Sequence, residues 1–218
     1  MDRVGQFGRR PDREIELVEE KLPGNSAKIR LLLDLIERRP DRVLDVGCGD
    51  LSLWEALEDR PEVIGVDVAL PPTRVASIER RQASAHELPF DAAAFDAVVS
   101  TQMLDDLRER VGALREMARV LRPGGDLFLT CDSGEAPQSW RARVRRVPRG
   151  PTLAELRAEA TTAGFRVDTL RRYGRRDLKR IQGDLSGPER RRTLEQEESL
   201  PVEDAREWGL LYLRGARS

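Results

Sequence analysis

The residues best placed to do chemistry lie in one run, Val43-Leu44-Asp45-Val46-Gly47-Cys48-Gly49-Asp50, and in the carboxylate of Asp67. Val43, Leu44 and Val46 have the apolar character of a short buried strand, and Gly47 and Gly49 predict a tight turn into a helix over Leu51–Glu58. A glycine turn between strand and helix lets a ligand approach the main chain closely and meet amides at the helix N-terminus. Asp45 places a carboxylate at the carboxyl end of the strand. About twenty residues on, a second apolar strand, Val63-Ile64-Gly65-Val66-Asp67, ends in another carboxylate, which can accept both hydroxyls of a ribose. The chemistry implied is the holding of a nucleoside.

Two cofactor classes use such a turn. A dinucleotide fingerprint, G-x-G-x-x-G, requires a third glycine where Ser52 stands. The alternative is S-adenosylmethionine, whose sites usually carry D-x-G-x-G-x-G; here Leu51 replaces the third glycine. The turn alone does not choose between them.

Composition bounds the rest. A length of 218 residues suits one domain. With 39% apolar and 35% charged residues, the core is expected to be compact and the surface very polar. No apolar run reaches the ~18 residues of a membrane span, and the first residues lack a signal-peptide segment. Two cysteines make no disulfide framework, and with a single histidine they argue against a metal site. The expectation is a cytoplasmic protein with no metal and no membrane association. The net charge of −1 conceals an asymmetry, since Arg141–Arg192 carries 16 Arg and Lys against 6 Asp and Glu. It reads either as a solvated arginine-rich surface or as a basic face turned towards an anionic substrate.

The positioning elements can be read in order. Residues 1–13 show no periodicity. Glu14–Leu22 suits a short helix, and Ser26 suits an N-cap for a helix over Ala27–Arg39 with Ile29, Leu32, Leu33 and Ile36 on one face. Ser52 and Glu55 have the spacing of a capping box, and Trp54 reads as core. Pro71-Pro72 leaves little room for a helix after Asp67, so Arg74–Gln82 reads as a polar edge strand. Val98-Val99 reads as a buried strand, Arg108–Leu121 as a helix ended by Pro123-Gly124-Gly125, and Asp126–Thr130 as the next strand. Thr152 and Glu155 form a second capping-box pattern, opening a helix that stops at Gly164. Phe165–Tyr173 and Glu207–Leu213 read as the last two strands.

Three motifs in this order, Leu88-Pro89-Phe90, Phe95-Asp96-Ala97-Val98 and Arg119-Val120-Leu121-Arg122-Pro123-Gly124-Gly125, together with the glycine turn, resemble the common small-molecule methyltransferase family of the class I fold. The resemblance runs from about Arg42 to Thr130. It implies an α/β, Rossmann-like class I methyltransferase fold: a seven-stranded, mostly parallel sheet with the last strand antiparallel and helices on both faces. It implies one methyltransferase domain over residues 1–218, with an N-terminal helical cap (1–40), a cofactor-binding core (41–173), a charged insertion (174–206) and a last strand (207–214).

By the same resemblance the cofactor is S-adenosylmethionine, with S-adenosylhomocysteine as product. Asp45, Gly47 and Gly49 would line its methionine part, with the Cys48 and Gly49 amides near the polar end. Asp67 would hold the ribose and Val68 would pack on the adenine. Ser84, where the family often has an acidic residue, and the amide of Ala85 would meet the ring, and Thr101 would lie beneath the cofactor. No catalytic residue is assigned. The sulfonium is a good leaving group, so placing a nucleophile in line supplies much of the rate. His86 reads as a rim or surface histidine, and Asp105-Asp106 as caps at the mouth or a base. The substrate expected is a small molecule, with an anionic one as an option. Nucleic acid is disfavoured by the lack of an N-P-P-Y-type motif and the near-neutral total. The rival of another class is a non-catalytic binder of the same cofactor. Nothing in the sequence sets the oligomeric state, and a dimer is one option.

Overall fold

The structure, a computed structural model, describes residues 26–135, 149–174 and 208–218. The helix expected over Glu14–Leu22, most of the Gln138–Gly150 segment and nearly all of the 174–206 insertion fall outside the described residues.

Seven strands form one sheet: β1 (Arg42–Val46), β2 (Glu62–Asp67), β3 (Glu79–Gln82), β4 (Phe95–Thr101), β5 (Leu121–Asp132), β6 (Phe165–Gly174) and β7 (Trp208–Arg217). Their order is β3-β2-β1-β4-β5-β7-β6. Strands β1 to β5 pair in parallel, and β7 lies antiparallel to both β5 and β6. The chain starts in the middle at β1, winds outwards to β3, then returns to β4 on the other side. A crevice opens at such a reversal, beyond the carboxyl ends of the strands.

Each face is covered by helix. On one face α1 (Ser26–Arg38) packs Leu31, Leu32 and Leu35 over Val43, Val99, Phe128 and Tyr212. On the other, α2 (Arg110–Val120) and α3 (Leu153–Thr162) lay Leu114, Met117, Leu156 and Ala160 over Leu44, Val98, Leu127 and Leu129. Central strands buried on both faces are read from their continuous apolar runs. The Thr152 capping box forms in both directions: the Glu155 N–H donates to the Thr152 hydroxyl at 3.1 Å, and the Thr152 N–H to the Glu155 carboxylate at 2.7 Å.

The family motifs prove to be joints. The Asp96 carboxylate accepts the Asp41 and Arg42 amides at 3.0 and 2.9 Å and pairs with Arg122 at 2.6 Å, fastening β1 to β4 and β5. The Arg119 guanidinium donates to the carbonyls of Leu88 and Phe90 at 2.9 and 2.8 Å, holding the Leu-Pro-Phe segment against α2.

Five expectations need correction. The predicted helix Leu51–Glu58 is only a 3-10 turn, Ser52–Ala56, because Leu51 enters it with φ 64° and the chain extends again at Leu57. The expected Ser52–Glu55 capping box is replaced by a local bond, the Ser52 N–H donating to Asp50 Oδ1 at 3.0 Å. The helix α2 ends at Val120, and Pro123-Gly124-Gly125 lies inside β5 rather than ending the helix. Then, the inward face of α1 is shifted: Ile29 and Leu32 are buried as expected, Leu31, Asp34 and Leu35 join them, and Leu33 and Ile36 are only partly buried. The edge strand is shorter than expected, Glu79–Gln82, and no helix stands between β2 and β3. No described helix is long and apolar enough to cross a membrane.

Candidate cofactor crevice

The glycine turn rises from β1 at the strand-order reversal. Gly47 and Gly49 have φ of 77° and 51°, in the region that favours glycine. A Cβ on Gly47 would meet the Met103 side chain at 2.6 Å, so the turn needs glycine there for space as well. Leu51 has the left-handed conformation too, which explains the glycine usual at this position. Its side chain is fully buried and points into the core beside Gly65, so it leaves the crevice clear.

The turn is tied to β2. The Gly47 and Cys48 amides both donate to the Val66 carbonyl, at 2.8 and 3.1 Å. The Gly49 amide donates to the Asp67 carboxylate at 2.9 Å, and the Ala69 amide meets its other oxygen at 3.1 Å. These bonds bring Asp67 over the turn. Just beyond it Val68 is 66% exposed, an apolar side chain open to whatever lies on this edge.

Asp45 is the most constrained group of the site. Only 2% of it is exposed, and the Trp54 indole N–H donates to its Oδ2 at 2.6 Å. Its Oδ1 is buried without a hydrogen-bond partner. Burial pushes the carboxyl up to about 7, against the opposing pull of Trp54 and then Lys28. Lys28 reaches in from α1; burial lowers it, and Asp45 and Asp50 hold it up. The Cys48 thiol is pushed up to about 12, first by burial and then by Asp45, so it stays protonated and makes no nucleophile.

The remaining expected residues follow β3 and end β4. Ser84 is exposed, with its hydroxyl accepting the His86 amide at 3.2 Å, and Ala85 is half-buried beside it. Thr101 ends β4, half-buried, paired with Thr130 of β5. The exposed His86 has its Nε2 2.7 Å from the Glu109 carbonyl at the start of α2. Beyond the end of β4, Asp105 sits on a 3-10 turn, Leu104–Asp106. Its Oδ1 is buried without a hydrogen-bond partner, and burial, aided by Asp132 at the end of β5, pushes it up to about 6.

The chain matches known proteins in sequence as well as in fold. Residues 44–129 match a family model described as a methyltransferase domain. Over this stretch the chain resembles the class I methyltransferases. It is 36% identical over 148 residues to the malonyl-[acyl-carrier protein] O-methyltransferase of Pseudescherichia vulneris, covering 62% of this chain and 58% of that protein. It is 35% identical over 115 residues to the ubiquinone biosynthesis O-methyltransferase of Hahella chejuensis, covering 46% and 48%. The chain thus spans about half the length of these relatives. In fold it resembles an S-adenosylmethionine-dependent methyltransferase from Mesorhizobium loti, with a TM-score of 0.56 at 16% identity, covering 86% of this chain and 98% of that one.

Sequence reasoning about this family site missed three groups. Trp54 was read as core, and it is core, yet nothing in its spacing announces the bond to Asp45. Asp132 lies past the last recognised motif, in the segment Cys131–Pro137 that the sequence reads as leaving the fifth strand at its ligand-facing end, and no role was read for it. Lys28 left a faint one, a charged residue three and four positions before the inward Leu31 and Leu32.

Proposed function

We propose that the protein binds S-adenosylmethionine in this crevice and transfers its methyl group to a small molecule. The observation that carries the reading is the pair of carboxylates around the glycine turn at the strand-order reversal. Asp45 keeps one buried oxygen unpartnered there, and Asp67 stands over the turn. The residues suit the cofactor: the orphaned Asp45 Oδ1 needs a cationic donor, and the exposed Val68 needs an apolar plate to cover it.

Bound S-adenosylmethionine supplies the methyl group on a sulfonium centre, and S-adenosylhomocysteine remains as product. Asp67 accepts the ribose hydroxyls, Val68 covers the adenine, Ser84 and the Ala85 amide meet its edge, and Thr101 forms the floor. Gly47, Cys48 and Gly49 supply a main chain without bulky obstruction beside Asp45. On the open side, Asp105 holds the acceptor's hydroxyl and takes its proton, a role suited to a carboxyl pushed upwards into the range of a working base. The relatives' names, both O-methyltransferases, support an oxygen acceptor. The excess of arginine in Arg141–Arg192 supports an anionic group elsewhere on that molecule.

The test is a turnover assay with labelled S-adenosylmethionine over a panel of small hydroxyl and carboxyl compounds, beside a calorimetric titration. Methyl transfer to any of them supports the reading. Tight cofactor binding with no transfer across the panel would favour a non-catalytic binder of the same fold. Asp105→Asn is expected to lower kcat by roughly 10²–10⁴ with cofactor affinity unchanged; an unaltered rate would remove Asp105 from the reaction.

A further inference from the structure

Trp54 stands in the 3-10 turn where a regular class I helix was expected, and that turn has a consequence for the site. The left-handed Leu51 sends the chain into Ser52–Ala56 and drops the indole onto the end of β1. There both Trp54 and Asp45 are buried, the first completely. A buried indole N–H donating to a buried carboxyl oxygen at 2.6 Å orients that carboxyl group, and the bond becomes charge-assisted when the group ionises. With Oδ2 committed to the indole, Oδ1 alone remains for a ligand.

We propose that Trp54 is a positioning residue of the cofactor crevice: its indole N–H fixes Asp45 so that the second carboxylate oxygen meets the cationic amino group of the ligand's amino-acid end. The inference rests on the cofactor reading above. It adds a proton linkage. The groups that face Asp45 are Lys28 from α1, Asp67 from β2 and the Cys48 thiol from the glycine turn, with Asp50 acting on Lys28. Without ligand the buried carboxyl holds its proton up to about pH 7. An ammonium group bound at Oδ1 requires the ionised form, so binding expels the proton. Removing the indole N–H removes the interaction that favours ionisation, and the carboxyl keeps its proton to higher pH.

The experiment is calorimetric titration with S-adenosylhomocysteine from pH 6 to pH 8.5, in buffers of different ionisation heat. The wild type is expected to bind roughly tenfold more tightly at pH 8 than at pH 6, releasing about half a proton at pH 7. Trp54→Phe is expected to bind roughly tenfold or more weakly at pH 7, with the loss narrowing as pH rises. In an Asp45→Asn background the same change is expected to have no further effect. A loss uniform in pH, or equal in both backgrounds, would make Trp54 merely structural and overturn the proposal. If Trp54→Phe does not fold, the wild-type protein still decides, because binding with no proton release overturns the proposal. No binding by wild type at any pH would instead overturn the cofactor reading itself.

Discussion

Ionising Asp45 carries a stability penalty that the site retains. In the unfolded chain this carboxyl loses its proton near pH 4, whereas in the fold burial holds it to about pH 7. Between those values the folded state binds more protons, so this group's contribution to stability falls as pH rises through the window. Asp45→Asn removes the penalty: at pH 8 the variant is expected to be more stable than wild type by up to about 4 kcal/mol, with the difference gone at pH 4. Urea denaturation at the two pH values checks this, and an equal difference at both would be the wrong sign of linkage. The same variant should bind cofactor poorly, a local conflict between stability and function. Asp67→Ala should weaken cofactor binding by about 1–3 kcal/mol, the range for a lost hydrogen bond to a charged group; unchanged affinity in calorimetry would move the ribose elsewhere. At this scale the sequence reveals what main-chain geometry dictates. Asp45, Gly47, Gly49 and Asp67 are legible because a strand end or a positive φ defines each. A buried tryptophan reads alike whether its N–H is bound or idle, so its bond to Asp45 was invisible.

Among the elements, the turn after β1 and the helix α1 carry the departures. Leu51 in the left-handed region costs about 1–2 kcal/mol, yet its side chain fills the space beside Gly65. Leu51→Gly would relieve the strain and open a core cavity. The cavity term is the larger, so the net expectation is a loss of about 1–3 kcal/mol in chemical denaturation. A gain in stability would mean that the turn is the more strained of the two. The helix α1 is held to β7 by Asp34, only 1% exposed, which accepts from the Tyr212 hydroxyl at 2.5 Å and pairs with Arg30 and Arg214. Removing one member of a buried ionic set leaves the rest uncompensated, so Asp34→Ala is expected to cost about 3–5 kcal/mol. A surface-like loss below ~1 kcal/mol would contradict the burial. Neither feature could be read in advance. The apolar period on α1 was legible, but its phase depends on Asp34, a polar residue made inward-facing by partners 178 and 180 positions away.

For the whole molecule, a seven-stranded, mostly parallel sheet was expected from the resemblance carried by the glycine turn and the three motifs, and the order β3-β2-β1-β4-β5-β7-β6 came only with the structure. The motifs serve mainly as fasteners: Asp96 and Arg119 tie strands and a loop together, and the chemistry stays with the crevice that they frame. The crevice, the paired carboxylates and the family relationship all converge on one claim, that a nucleoside with a charged amino-acid tail binds here. Calorimetric titration of the purified protein with S-adenosylmethionine, S-adenosylhomocysteine and NADH tests it most directly. Binding of the two adenosyl sulfur compounds, and not of NADH, is the result expected. Binding of NADH, or of none of the three, would contradict it.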